Sequence, residues 1–149
     1  YCVDGEQVCS IWLPLDPVPK EAGLEFVAGS HLLGKMFMPI KFLTLSDYNY
    51  PPGSFDAIPD IDAHRSEFKI LSWDMEPGDC IVFHFKSLHS GKGNPHSRLR
   101  RRAFSSRWIG DDAVFAERPG ETSPPFPELK SFKQGDLLDH PLFPVCWTK

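Results

Sequence analysis

The chain has 149 residues, 41% of them hydrophobic and 13% aromatic, enough to bury one core but too few for two, so residues 1–149 are expected to form a single domain. A formal net charge of −4 argues against a nucleic-acid-binding protein, and no window is apolar and long enough for a membrane helix. Fifteen prolines and eleven glycines interrupt the chain too often for long helices and favour a mainly β architecture.

In chain order, Asp4-Gly5 reads as a turn into a strand over residues 7–15. Alternation puts Val8, Ser10, Trp12 and Pro14 on one face of it, and Cys9, Ile11, Leu13 and Leu15 on the other. Residues 16–23 form a proline-punctuated connector, and residues 24–27 a short strand. Residues 34–62 are rich in loop formers, including Pro39, Pro51, Pro52, Gly53 and Pro59, and are predicted to be a long excursion over the mouth of the fold. Its aromatics, Phe37, Phe42, Tyr48, Tyr50 and Phe55, are equally suited to shaping a substrate pocket and to packing within a lid. Residues 68–73 read as another strand.

Residues 75–108 are the expected functional centre. A turn on Pro77, Gly78 and Asp79 leads into a strand over residues 80–85, followed by a polar loop containing Gly91, Gly93, Asn94 and Pro95. A strand over about 101–109 follows, the two strands reading as a central hairpin with His89 at the loop entry. In that last strand Arg101, Ala103, Ser105 and Arg107 share one face, and Arg102, Phe104, Ser106 and Trp108 the other. A histidine and an arginine would then converge in one pocket from neighbouring strands, a metal ligand beside a fork for a carboxylate. Alone, such a pair is weak evidence, since a strand histidine is more often structural and an arginine run more often solvated. His84 falls on the face opposite His89 and reads as structural, while His96 reads as solvent-facing. Cys2, Cys9, Cys80 and Cys146 lack C-x-x-C spacing and lie mostly in apolar strand-like context, so structural thiols of a reducing, cytoplasmic environment are expected.

The segments SIWLPLD (10–16), AGSHLLG (28–34), PGD (77–79), FHFKSLHSGKGN (83–94), RRAFSSRWIGDD (101–112) and FPVCW (143–147) together resemble the phytanoyl-CoA dioxygenase family of Fe(II)- and 2-oxoglutarate-dependent oxygenases. The resemblance implies a double-stranded β-helix (a cupin-like jelly roll), incomplete at its N-terminus, with a tail that wraps the barrel. It implies His89 as the distal iron ligand and Arg101 as the clamp for the far carboxylate of 2-oxoglutarate, with Arg100 a competing assignment because the loop is one residue longer than usual. Trp12 matches a residue lining the 2-oxoglutarate pocket, which core packing would explain equally well. His31 falls in a turn that does not usually ligate. The family's iron site is completed by an H-x-D dyad, which this sequence lacks; Asp62-Ala63-His64 is only its reverse, in a loop expected to face solvent. The expectation is therefore an oxygenase for an unidentified small-molecule substrate, inactive as this chain alone. The competing reading is a non-catalytic jelly-roll module that binds a small carboxylate or a protein partner.

Overall fold

The computed structural model describes residues 1–149 apart from 42–45, 47, 92, 95–99, 121, 123, 124 and 149. Eight strands are present among the described residues: β1 (Val3–Asp4), β2 (Val8–Pro14), β3 (Leu24–Val27), β4 (Ile70–Leu71), β5 (Ile81–His84), β6 (His89–Gly91), β7 (Ala103–Ile109) and β8 (Val114–Phe115). The helical pieces described are single 3₁₀ turns. All named strand pairs are antiparallel, in sheets of order β5-β2-β7, β4-β3-β6 and β1-β8. The two three-stranded sheets face one another, with Phe26 of β3 and Phe83 of β5 meeting at a ring-centroid distance of 4.9 Å. From β2 to β7 the chain passes back and forth between these sheets, the winding of a jelly roll or double-stranded β-helix.

β3 has the bounds its sequence predicts, and β2 and β7 are shorter by one or two residues at an end; the strand expected over 68–73 contracts to Ile70–Leu71. The expected hairpin is corrected. β5 and β7 do not pair; they flank β2, which bonds to one on each edge. A tight turn, in which Ser87 N–H donates to the His84 carbonyl at 3.0 Å, swings the chain out of the first sheet. His89–Gly91 then pairs with β3 in the second. His89 thus sits on a strand, and it faces the arginine-bearing strand across the roll rather than beside it.

Two apolar plugs bound the interior. Val3, Val8, Ala113 and Leu138 are buried at one end with Phe85, Ile109, Phe115 and Phe143 against them. The C-terminal segment joins this plug, with Val114 bridging to Leu137 and Phe115 N–H donating to the Asp136 carbonyl at 2.7 Å. At the other end Val18, Ala22 and Met75 pack with Trp12 and Ile81, held by reciprocal Val18–Met75 backbone bonds of 2.8 and 2.9 Å. The turn after β7 is closed by Asp112, whose carboxylate accepts the Glu6 and Gln7 N–H groups at 2.7 and 3.0 Å. Gly110 is required beside it, since a Cβ there would lie 2.6 Å from Gln7 Cβ, which a side-chain rotation does not move.

Among the described residues of 34–62, Phe37 forms a bridge with Asp56. Tyr50 packs between Tyr48 and Phe55, at centroid distances of 5.7 and 4.9 Å, so these three aromatics pack on one another; Phe42 lies outside the described residues. The expectation for the cysteines is also corrected in part: all four are free, Cys2 is buried and Cys9 half-buried, but Cys80 and Cys146 are exposed. No helix among the described residues is long and apolar enough to cross a membrane.

Candidate functional site

The register of β2 builds the inner face of the first sheet level by level. Ser10 stands opposite Phe83 on one side and Arg107 on the other; Trp12 stands opposite Ile81 and Ser105; Pro14 stands opposite Ala103. Residues directly opposite in antiparallel strands project to the same side, so Ser10, Phe83 and Arg107 form one level. Phe83 carries that level to the second sheet, where its ring lies 4.8 Å from that of His89. His89 is cross-strand partner to Phe26 and stacks on it at 5.7 Å and 20°. Two aromatic rings therefore fix the imidazole plane.

The His89 ring is oriented further by its Nδ1, 2.8 Å from the Ser87 carbonyl, which accepts from an Nδ1–H tautomer and leaves the Nε2 lone pair free. Burial of the ring among protein atoms lowers its pKa, the Ser87 carbonyl opposes this, and the positive charge of Arg107 lowers it again. The residue as a whole is nevertheless exposed. A neutral imidazole with one committed nitrogen and one free nitrogen is the form that ligates a transition metal.

The three consecutive arginines part company. Arg101 is half-buried and donates from Nη1 to the Ala22 carbonyl. Arg102 points the other way and grips Asp16 through Nη2 at 2.8 Å and Nε at 3.0 Å, with its own N–H donating at 2.8 Å. These bonds, the side-chain ones first, hold Asp16 down to about 2, and the nearby charge of Arg100 adds to the effect. Arg100 is exposed. Alternation along the chain thus separates Arg101 from its neighbours. Ala22 precedes Phe26, the partner of His89, by four residues, or about 13 Å of extended chain. Trp12 stands between the two levels, half-buried against Val18, Ala22 and Met75.

The other sequence candidates lie elsewhere. His84 projects to the outer side opposite Cys9, and its ring is 5.6 Å from that of His31 in the 3₁₀ turn Ser30–Leu32. Its Nδ1 accepts from Lys86 N–H at 3.1 Å and its buried Nε2 has no hydrogen-bond partner among the described residues. His64 is exposed, and the neighbouring Asp62 pairs with Arg65 at 3.1 Å. His96 and Arg98 lie outside the described residues. Among the described residues no three His, Cys, Asp or Glu side chains gather into a metal set. The described residues therefore do not make a complete facial triad. Three inner-face residues escaped the sequence reading as site residues: Arg107, Ser105 and Tyr1, whose hydroxyl accepts from Arg107 Nε at 2.7 Å. The first two were marked by lying six and four residues from Arg101, on the same face of an alternating strand; Tyr1 carried no such signal.

The antiparallel sheets and the passage of the chain between two of them define a jelly roll. Residues 1–103 match the phytanoyl-CoA dioxygenase (PhyH) family, and the chain belongs to that family. Among solved structures it is similar to the non-heme alpha-ketoglutarate-dependent carbocyclase SnoK from nogalamycin biosynthesis, with 20% identity, a TM-score of 0.63, and 97% of this chain and 51% of that one covered. It is similar also to the epimerase SnoN of the same biosynthesis, at 22% identity and a TM-score of 0.57, with 97% and 52% covered. SnoN has also been solved in complex with Fe3+, alpha ketoglutarate and nogalamycin RO. The chain spans about half the length of these structures. No curated protein matches it in sequence.

Proposed function

We propose that this chain belongs to an Fe(II)- and 2-oxoglutarate-dependent oxygenase domain that acts on a small organic substrate. The observation that carries the reading is the order of groups along the inner face: His89 with a free Nε2 at one level, Trp12 at the next, and the half-buried Arg101 beyond it. His89 would contribute one metal ligand. Arg101 would hold the far carboxylate of 2-oxoglutarate through a charge-assisted pair, and Trp12 would wall the space between. When bound, the metal and the oxo acid supply the oxidising chemistry; the protein orients them and keeps water from the reacting centre. Family membership supports the reading, as does the dependence on alpha ketoglutarate named for SnoK and SnoN.

A single neutral histidine holds Fe(II) weakly and leaves its charge unbalanced, so the chain alone is expected to be inactive. The test is anaerobic titration with Fe(II) and 2-oxoglutarate, followed by the visible charge-transfer band of a chelated complex. The expected result is no band for this chain and a band for a longer protein carrying an H-x-D segment upstream of Tyr1. A longer protein without such a segment, binding carboxylates but showing no band, would instead support the non-catalytic jelly-roll module, a reading consistent with the lack of a three-ligand cluster among the described residues.

A further inference from the structure

The inner face carries a second cation that the proposed function does not use. Arg107 lies at the His89 level, opposite the buried Ser10, about 20 Å of extended strand from Arg101. Its Nε donates to the Tyr1 hydroxyl at 2.7 Å and its Nη1 to Ser105 Oγ at 3.2 Å. The guanidinium also lies over the Tyr1 ring, 5.5 Å from its centroid, and that ring packs on Phe85 at 4.8 Å. Among the described residues Arg107 forms no ion pair, unlike Arg65, Arg102 and Arg118, each of which meets a carboxylate.

The hydrogen-bond inventory then determines what the site accepts. Both hydroxyls use their oxygens to receive Arg107, so their own protons point away from it with no partner among the described residues. Arg107 Nη2 is likewise uncommitted among the described residues. These groups lie at the level of the imidazole, on which the Arg107 charge acts, with no carboxylate paired to them among the described residues. Such an arrangement fits a small anion and repels a cation.

We propose that Arg107, Tyr1 and Ser105 form a second anion seat on the inner face, one that takes a carboxylate close to His89 and is separate from the position held by Arg101. The proposal rests on the oxygenase reading only for the identity of its occupant. That carboxylate is either the near end of the oxo acid or a carboxylate of the substrate undergoing oxidation.

Isothermal titration of the metal-free chain at low ionic strength with acetate, pyruvate and 2-oxoglutarate tests it. Pyruvate and acetate should bind the wild-type chain, about tenfold more weakly to Arg107→Gln, less weakly to Arg107→Lys and Tyr1→Phe, and unchanged to Arg101→Gln. Circular dichroism of each variant separates lost binding from lost folding, and Tyr1→Phe removes a donor while leaving the cation in place. If Arg107→Gln weakens 2-oxoglutarate as well, the seat takes the near end of the oxo acid; if only the monocarboxylates weaken, it takes a substrate carboxylate. Absence of monocarboxylate binding by the wild type, or equal binding by folded Arg107→Gln, overturns the proposal. An Arg107-dependent site at which 2-oxoglutarate gains nothing over pyruvate and ignores Arg101→Gln would leave the seat standing and remove the oxygenase reading.

Discussion

The two faces of the β5-β2-β7 sheet are built from the same alternation and have opposite surroundings. The inner face presents Ser10, Ser105 and Arg107 among its aromatics, opposite His89, and Ser10 is only 3% exposed. The outer face is mostly apolar yet bare: Val82 is 58% exposed, Phe104 57% and Trp108 45%. In total the chain exposes 10354 Å², where a compact monomer of this size exposes about 7,700 Å². Hydrophobicity alone would have turned this sheet the wrong way. Of the polar residues on the inner face Ser10 is buried, while Ser105 and Arg107 beside it keep contact with solvent.

The sharpest way to break the comparison is to remove the ring that joins the two sheets. Phe26 is 6% exposed and touches Phe83, Trp73 and His89. Phe26→Ala is expected to cost about 3–4 kcal/mol in urea unfolding, the range for a buried aromatic truncated to a cavity. It should also release the His89 ring, seen as averaging of its NMR signals. A cost below 1 kcal/mol would mean that the sheets are not packed through this contact. At the rim where the faces meet, Asp112→Ala leaves two backbone N–H groups without their carboxylate and is expected to cost about 1–2 kcal/mol by the same measurement.

The outer side of the β7 entrance gives a pH-dependent version of the comparison. Asp16 is held from its ordinary 3.8 to about 2 by Arg102. A depressed carboxyl pKa contributes stability that is fully present above the ordinary value and is lost as pH falls through the depressed one. The wild-type melting temperature should therefore decline between about pH 4 and pH 2 more steeply than that of Asp16→Asn. Equal slopes for the two proteins would show that the Arg102–Asp16 pair does not persist in solution.

How much of this was legible in the sequence follows from how local each feature is. β2 and β3 were legible because alternation and flanking turn residues are written within the strand itself. The partnership of β2 with both β5 and β7 was not, since no residue within a strand records which distant strand will lie beside it; proximity in sequence suggested a hairpin instead. β4 fell short because only Ile70 and Leu71 find a partner in the four-residue β3. In the candidate site, His89 and Arg101 were singled out by motif resemblance, and spacing alone placed Arg107 on the face of Arg101. The contact of Arg107 with Tyr1 spans 106 positions and is a product of the closed roll, invisible to any local pattern.

The smallest effect is expected on the outer face. Phe104 is the cross-strand partner of Leu13 and Trp108 of Cys9, but both side chains keep about half their surface in water, and Trp108 Nε1 is satisfied by Ser106 Oγ at 2.9 Å. Phe104→Thr and Trp108→Thr should each stay within about 0.5 kcal/mol of wild type, because threonine suits a strand and little buried area is lost. Set beside Phe26→Ala, this pair asks whether exposure in the folded chain predicts energetic weight. A loss of about 2 kcal/mol or more that grows with protein concentration would mean that the outer face is covered in solution by a second copy of the chain. A loss independent of concentration would mean that the apolar outer face packs more tightly than its exposure implies. Either result would make the bare face a structural surface, and the polar inner face would remain the one whose composition packing does not explain.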